Sequence, residues 1–190
     1  MASSELPQQR TDFTMSAGHA YTWGTLLYIL IWLVLVAPHV LLSGKELFET
    51  GVAAFEYNGW ILLGLFVASV VIHELLHGVG FHYFGGVPWS EVRYGFNWRY
   101  LVPYASTTRP MTAKGYRWAA LLPLIVTGLV PAAVGTALGD SRLVSFAAFM
   151  AGAAAGDVLV VWAIREIPPT ALVRDSSSRV GCEVVGPDFA

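Results

Sequence analysis

Charged side chains fall along this chain in blocks separated by long apolar windows. No Asp, Glu, Lys or Arg stands between Asp12 and Lys45, and the middle of that window reads LLYILIWLVLVAPHVLL. None stands between Arg117 and Asp140 either. Two more windows, Glu56 to Glu91 and Arg142 to Arg165, are each interrupted by one carboxylate, Glu74 in the first and Asp157 in the second. Every window can hold the ~20 apolar residues that a helix needs to cross a bilayer core. The pattern predicts transmembrane helices at about 24–43, 59–84, 118–138 and 143–164. The first is expected to be a span and not a secretory signal, because its apolar run is long, no basic segment precedes it and no A-x-A site follows.

Outside the windows two segments change period. Val92, Tyr94, Phe96, Trp98, Tyr100 and Val102 alternate with Arg93, Gly95, Asn97, Arg99 and Leu101. A period of two predicts strand, with a hairpin turning near Gly95–Asn97. The tail ALVRDSSSRVGCEVV predicts two short strands around a serine-rich turn. The fold expected is therefore an all-α membrane protein of four transmembrane helices, with a small β-hairpin in the long 85–117 loop. The whole chain, 1–190, forms one integral-membrane unit with no internal repeat.

Composition sharpens the class. Of 190 residues 55% are hydrophobic and 13% are charged, about half the charged share of an average soluble domain. A small water-soluble domain leaves too much surface in water to hide that apolar content, and a disordered chain would be far more polar. The net charge of −2 gives no basic field for nucleic acid. A single cysteine, Cys182, excludes an internal disulfide framework and a multi-cysteine metal site.

Lys and Arg set the orientation. Arg10, five residues of the 85–117 loop (Arg93, Arg99, Arg109, Lys114, Arg117) and three of the tail share one face, against Lys45 and Arg142 on the other. Basic residues are retained in the cytoplasm, so both termini and the long loop are expected inside, in what reads as a prokaryotic cell membrane. Trp23, Trp60 and Trp118 stand near span ends, where an aromatic belt would place them.

The chemistry-bearing pattern is His73-Glu74-Leu75-Leu76-His77, an H-E-x-x-H motif inside the second span. Residues four apart share a helix face, so both imidazoles can reach one ion, and the intervening glutamate is held where it can take a proton from metal-bound water. Ionisable groups among lipid tails are costly and point to function. A catalytic zinc takes three protein ligands and an exchangeable water. Asp157, the only other carboxylate in any predicted span, is the candidate third ligand. It lies at the same depth as His73, and the preceding Ala151-Gly152-Ala153-Ala154-Ala155-Gly156 allows close helix approach. His82, His39 and His19 are not expected to be ligands: His82 points away, His39 is expected at the membrane interface and His19 in the polar tail. Pro103, Pro110 and Pro123 are read as loop or kink residues.

This layout resembles the site-2 protease family of intramembrane zinc metalloproteases, and is closest to the short bacterial and archaeal relatives known as putative zincin peptidases. The residues that carry the resemblance are His73 to Gly78, Gly156-Asp157, the Pro168 to Asp175 tail and Gly181-Cys182. The chain differs from well-studied site-2 proteases in having Gly-Asp in place of Asp-Gly, no Asn-Pro and no PDZ-like module. The resemblance implies Zn2+ held by His73, His77 and Asp157, with Glu74 as general base. It implies hydrolysis of a peptide bond in or next to a membrane span of a membrane-protein or peptide substrate. Tyr94, Phe96 and Trp98 are the candidate substrate-binding residues, by strand addition to the hairpin. A proton- or metal-ion-conducting transporter would use the same His/Glu/Asp cluster and stays open on the residues alone, as does a non-catalytic zinc scaffold.

Overall fold

The computed structural model describes residues 12–15, 17–98, 102–176 and 180–185. Arg10, Arg99, Tyr100, Leu101, Ser177, Ser178 and Arg179, used above, lie outside them. A short strand β1 (Asp12–Met15) leads into the long helix α1 (Ala17–Ser43). His19 falls in the first turn of α1 and not in a tail. A short helix α2 (Leu47–Val52) and a 3-10 turn precede α3 (Gly59–Tyr83), which starts at an Asn58 cap accepting from the Trp60 amide. After the loop strands β2 (Val92–Asn97), β3 (Val102–Thr107) and β4 (Met111–Thr112), helix α4 (Ala113–Pro123) continues through a π-helical segment (Leu124–Leu129) into α5 (Val130–Leu138). The chain then forms α6 (Ser141–Ala153), α7 (Ala155–Ala163), β5 (Leu172–Asp175) and β6 (Val180–Val184).

Among the described residues three helices are long and apolar enough to cross a membrane: Tyr21–Ser43, Gly59–Tyr83 and Ala113–Leu138. They are compatible with a membrane protein. The expected fourth span is not one straight helix. It is the pair α6 and α7, bent by 41° at Ala154. The helices turn large apolar side chains outward, with Trp60 and Leu41 both 82% exposed, the inverse of a water-soluble fold.

Small residues line the inside. Val36 of α1 packs with Val144 and Ala148 of α6, and a Cβ on Gly128 would come within 2.6 Å of the Ala151 methyl. His39 is not interfacial as expected: it is fully buried, with its Nε2 3.0 Å from the Ser141 hydroxyl. The Lys45 ammonium donates to the same oxygen at 2.8 Å, so the Ser141 proton is free for His39. This contact ties the end of α1 to the start of α6.

The first and last described strands meet at one end of the helices. Strands order as β1-β6-β5-β4, all antiparallel, with Phe13 opposite Cys182 and Met111 opposite Val173. The N-terminal strand, the long loop and the tail are thus joined in one sheet, which the all-α expectation lacked. Beneath it lies the main core, including Phe81, Val87, Met111, Tyr116, Ile164 and Val173. Arg117 of α4 donates to the Ile164 carbonyl and, at 2.6 Å, to that of Ile167. Its charge meets buried carbonyls just past the end of α7, the favourable sign for a helix C-terminus.

The 92–102 segment is not a complete hairpin: it supplies strand β2 and the first residue of β3, its pairing partner. β2 runs straight through Gly95 to Asn97 and pairs with β3 in the register Tyr94–Ala105, Gly95–Tyr104 and Phe96–Pro103. Gly95 is there for packing: a Cβ would lie 2.4 Å from the Tyr104 ring.

Candidate metal centre

On α3 the i, i+4 spacing stacks His73 and His77 on one face, ring centroids 5.0 Å apart. Asp157 stands in the first turn of α7. The break at Ala154 starts a new helix there and carries the short carboxylate to α3. Its Oδ2 lies 3.2 Å from His73 Nε2, and its Oδ1 lies 3.4 Å from His77 Nε2. One ligand atom from each of the three residues falls within 4.8 Å of the others. Ligands placed 2.0–2.1 Å from a tetrahedral zinc are ~3.3 Å apart. The spacing therefore suits that ion.

The second nitrogen of His77 supports the same reading. Its Nδ1–H donates to the Ala119 carbonyl at 3.1 Å, leaving Nε2 as a lone pair aimed at a carboxylate. An imidazole and a carboxylate facing each other at that distance can share a metal ion, and an outer carbonyl on a ligating imidazole is the usual orienting contact. That contact depends on Gly80, where a Cβ would lie 2.5 Å from the Ala119 Cα. Bare glycine lets α4 approach α3 closely enough for its carbonyl to reach the ring.

Glu74, half-buried, points to the side of the His73–His77 face where the hairpin lies, with the Ala105 backbone amide directed at its carboxylate. Of the three aromatic candidates the structure brings Tyr94 to this site: its hydroxyl lies 3.5 Å from the Leu75 carbonyl and beside Gly78. Burial, and then the Glu74 charge, raise its phenol above the usual value. Phe96 and Trp98 are packed edge to face with each other further along the hairpin, centroids 4.7 Å apart. His82 donates its Nδ1–H to the Val87 carbonyl, 2.8 Å away, and stacks on Trp89, apart from the cluster.

Residues that the motif did not single out extend the site inward. His77 stacks at 6.4 Å on Phe81, and Phe81 at 6.4 Å on Tyr116. The Tyr116 hydroxyl donates to Asp175 Oδ1 at 2.8 Å. Burial pushes the Asp175 carboxyl up to about 6, although Tyr116 favours its ionised form. Burial also pushes the Cys182 thiol up to about 12, which leaves it an inert core group. Only the tail motif hinted at Asp175; a backbone carbonyl such as that of Ala119 leaves no trace in a sequence.

An H-E-x-x-H helix with a third ligand from another element defines the zincin class of metallopeptidase. A family model described as putative zincin peptidase matches residues 66–172, more than half of the chain, so this protein belongs to that family. The matched region contains all three cluster residues and Glu74, and the family implies Zn2+ as the cofactor. No significant match was found among curated proteins or among solved structures.

Two predictions follow from this geometry. Gly80→Ala pushes α4 away from α3 and loosens the His77 orienting bond, so zinc affinity should fall about 10–100-fold, measured by chelator competition. An unchanged affinity would show that the Ala119 contact does not orient the ligand. For Asp175, a folded-state pKa above the unfolded value means that the folded protein holds the extra proton. Stability contributed by this group is present below about pH 4 and is lost as pH rises towards 6. Asp175→Asn keeps an acceptor for Tyr116, so it should stabilise the protein at pH 7.5 by at most about 3 kcal/mol and leave it unchanged at pH 4. Thermal unfolding at the two pH values reads the difference.

Proposed function

We propose that this protein is an intramembrane zinc endopeptidase resembling the site-2 proteases, hydrolysing a peptide bond in or beside a membrane span. One observation carries the reading: two imidazoles and a carboxylate converge at zinc-ligand spacing among outward-apolar helices, next to a glutamate. In this reading α1, α3, the α4–α5 helix and the bent α6–α7 pair are four spans. The sheet that joins both termini to the long loop lies in the cytoplasm, in agreement with the distribution of Lys and Arg.

His73 stands 14 residues from the start of α3 and 10 from its end, or about 21 Å and about 15 Å along the axis. Water then enters more readily from the cytoplasmic side. His73, His77 and Asp157 hold Zn2+, which when bound brings the pKa of its water towards 7 and polarises the scissile carbonyl. Glu74 takes the proton of the attacking water on its carboxylate and returns it to the leaving amine. Asp157 keeps both imidazoles at one point, and the Ala119 carbonyl fixes the His77 tautomer.

A helical substrate protects its scissile bond by its own hydrogen bonds and must be drawn out before attack. Among the described residues the hairpin is a two-stranded sheet, whose outer edge beside the site could take an extended segment. Phe96 and Trp98, 42% and 79% exposed, supply apolar contact there.

The test uses the protein in liposomes with a single-span reporter whose span carries a Gly-Pro pair near its cytoplasmic end. Glu74→Gln should keep bound zinc and lower cleavage by about 10²–10⁴, and Trp98→Pro should reduce cleavage with zinc unchanged. Cleavage that survives Glu74→Gln would remove the general-base assignment. Proton or metal flux lost in Glu74→Gln, with no cleavage by the wild type, would favour the transporter. Unchanged cleavage in Trp98→Pro would take the hairpin out of substrate binding.

A further inference from the structure

The glycine that follows the second histidine has a neighbour that explains it. A Cβ on Gly78 would lie 1.8 Å from the Tyr94 hydroxyl, 2.7 Å from the ring carbon that bears it and 3.0 Å from a Val92 methyl. A Cβ there would push the end of the Tyr94 side chain out of its seat on α3. Across the hairpin, Tyr94 is the register partner of Ala105, whose amide is directed at the Glu74 carboxylate. Gly78 and Glu74 are four residues apart, hence on one helix face. One rung of the hairpin therefore lies across one turn of α3, its Tyr94 end seated over Gly78 and its Ala105 end at Glu74. The Tyr94 hydroxyl faces the Leu75 carbonyl within the same turn, at 3.5 Å.

We propose that Tyr94 is a positioning residue, keyed into the notch over Gly78, and that it seats the β2–β3 hairpin so that the Ala105 amide holds Glu74 in line with the metal centre. The inference rests on the peptidase reading for its catalytic consequence, and on packing alone for the keying. A glutamate on an exposed helix face samples several rotamers; a fixed amide beside it selects one. Misplacing a catalytic group by about 1 Å can cost 10²-fold in rate. It also divides the hairpin aromatics by task. Tyr94 serves the protein, while Phe96 and Trp98 remain for substrate.

Two measurements separate the keying from the chemistry. Hydrogen exchange of the β3 peptide carrying Ala105 is followed in zinc-loaded wild type, Gly78→Ala, Tyr94→Ala, Tyr94→Phe and the Gly78→Ala/Tyr94→Ala double variant. Zinc content is recorded for each. Exchange should rise about tenfold in both alanine variants, stay near wild type in Tyr94→Phe, whose ring still fills the notch, and rise no further in the double variant, as expected for residues acting through one contact. Zinc stoichiometry should not change. On the single-span reporter, kcat should fall about 10²-fold in Gly78→Ala and Tyr94→Ala with KM within about threefold, and Tyr94→Phe should retain most activity. Wild-type exchange in Gly78→Ala, or additive effects in the double variant, would overturn the keying. A kcat that survives while the hairpin loosens would overturn the positioning of Glu74. A reporter left intact by the wild type, with the exchange pattern as expected, would contradict the peptidase reading and uphold the keying.

Discussion

The contact on which the inner half of this protein depends is that between the Asp157 carboxylate and the His73 and His77 imidazoles, at 3.2 and 3.4 Å. An aspartate has one methylene of reach, so α7 must come against α3 with very little between them. Three features of the backbone serve that end. The α6–α7 pair bends by 41° just before Asp157. The π-helical segment at Leu124–Leu129 packs Gly128 against Ala151, immediately ahead of the bend; such segments are rare and concentrate near functional sites. Gly80 admits Ala119, whose carbonyl then orients His77. Clustering ionisable groups among apolar helices is unfavourable unless they are paired or hold a metal, and the spacing of these three is that of zinc ligands.

The parts of this arrangement that rest on side-chain chemistry were readable from the sequence. The charge-free windows marked the long helices, the H-E-x-x-H spacing marked one face of α3, and Asp157 stood out as the remaining carboxylate in a window. The two strands of the tail were also legible, whereas most of the serine-rich stretch between them lies outside the described residues. What escaped was carried by backbone. Alanine is the best helix former, so the run Ala151 to Gly156 gave no warning of the break at Ala154. Gly95 resembled a turn residue but is a flat place for the Tyr104 ring. His39 looked interfacial because its window ended nearby, whereas its partner Ser141 comes from a distant position. The strand β1 lies in a polar stretch too short to show a period, and it forms because β6 offers it an edge.

The two sheets have different tasks. The four-stranded one fastens both termini and the long loop over the core, and through Asp175, Tyr116 and Phe81 its underside touches the stack that ends at His77. The hairpin is the more local device, lying over the turn of α3 that bears Glu74 and Gly78. In the proposed reading, ligands held on helices, Glu74 as a general base beside the hairpin and a strand edge next to them would serve proteolysis at a membrane site.

The central claim is that these three side chains form one zinc site shared by two helices. Elemental analysis of detergent-purified protein, wild type beside Asp157→Ala and His77→Ala, tests it most directly. The account predicts about one zinc per wild-type chain, as a single three-ligand site requires, and its loss or marked weakening in both variants. A well-folded wild type that takes up no stoichiometric zinc, or an Asp157→Ala protein that holds it as tightly as the wild type, would contradict it.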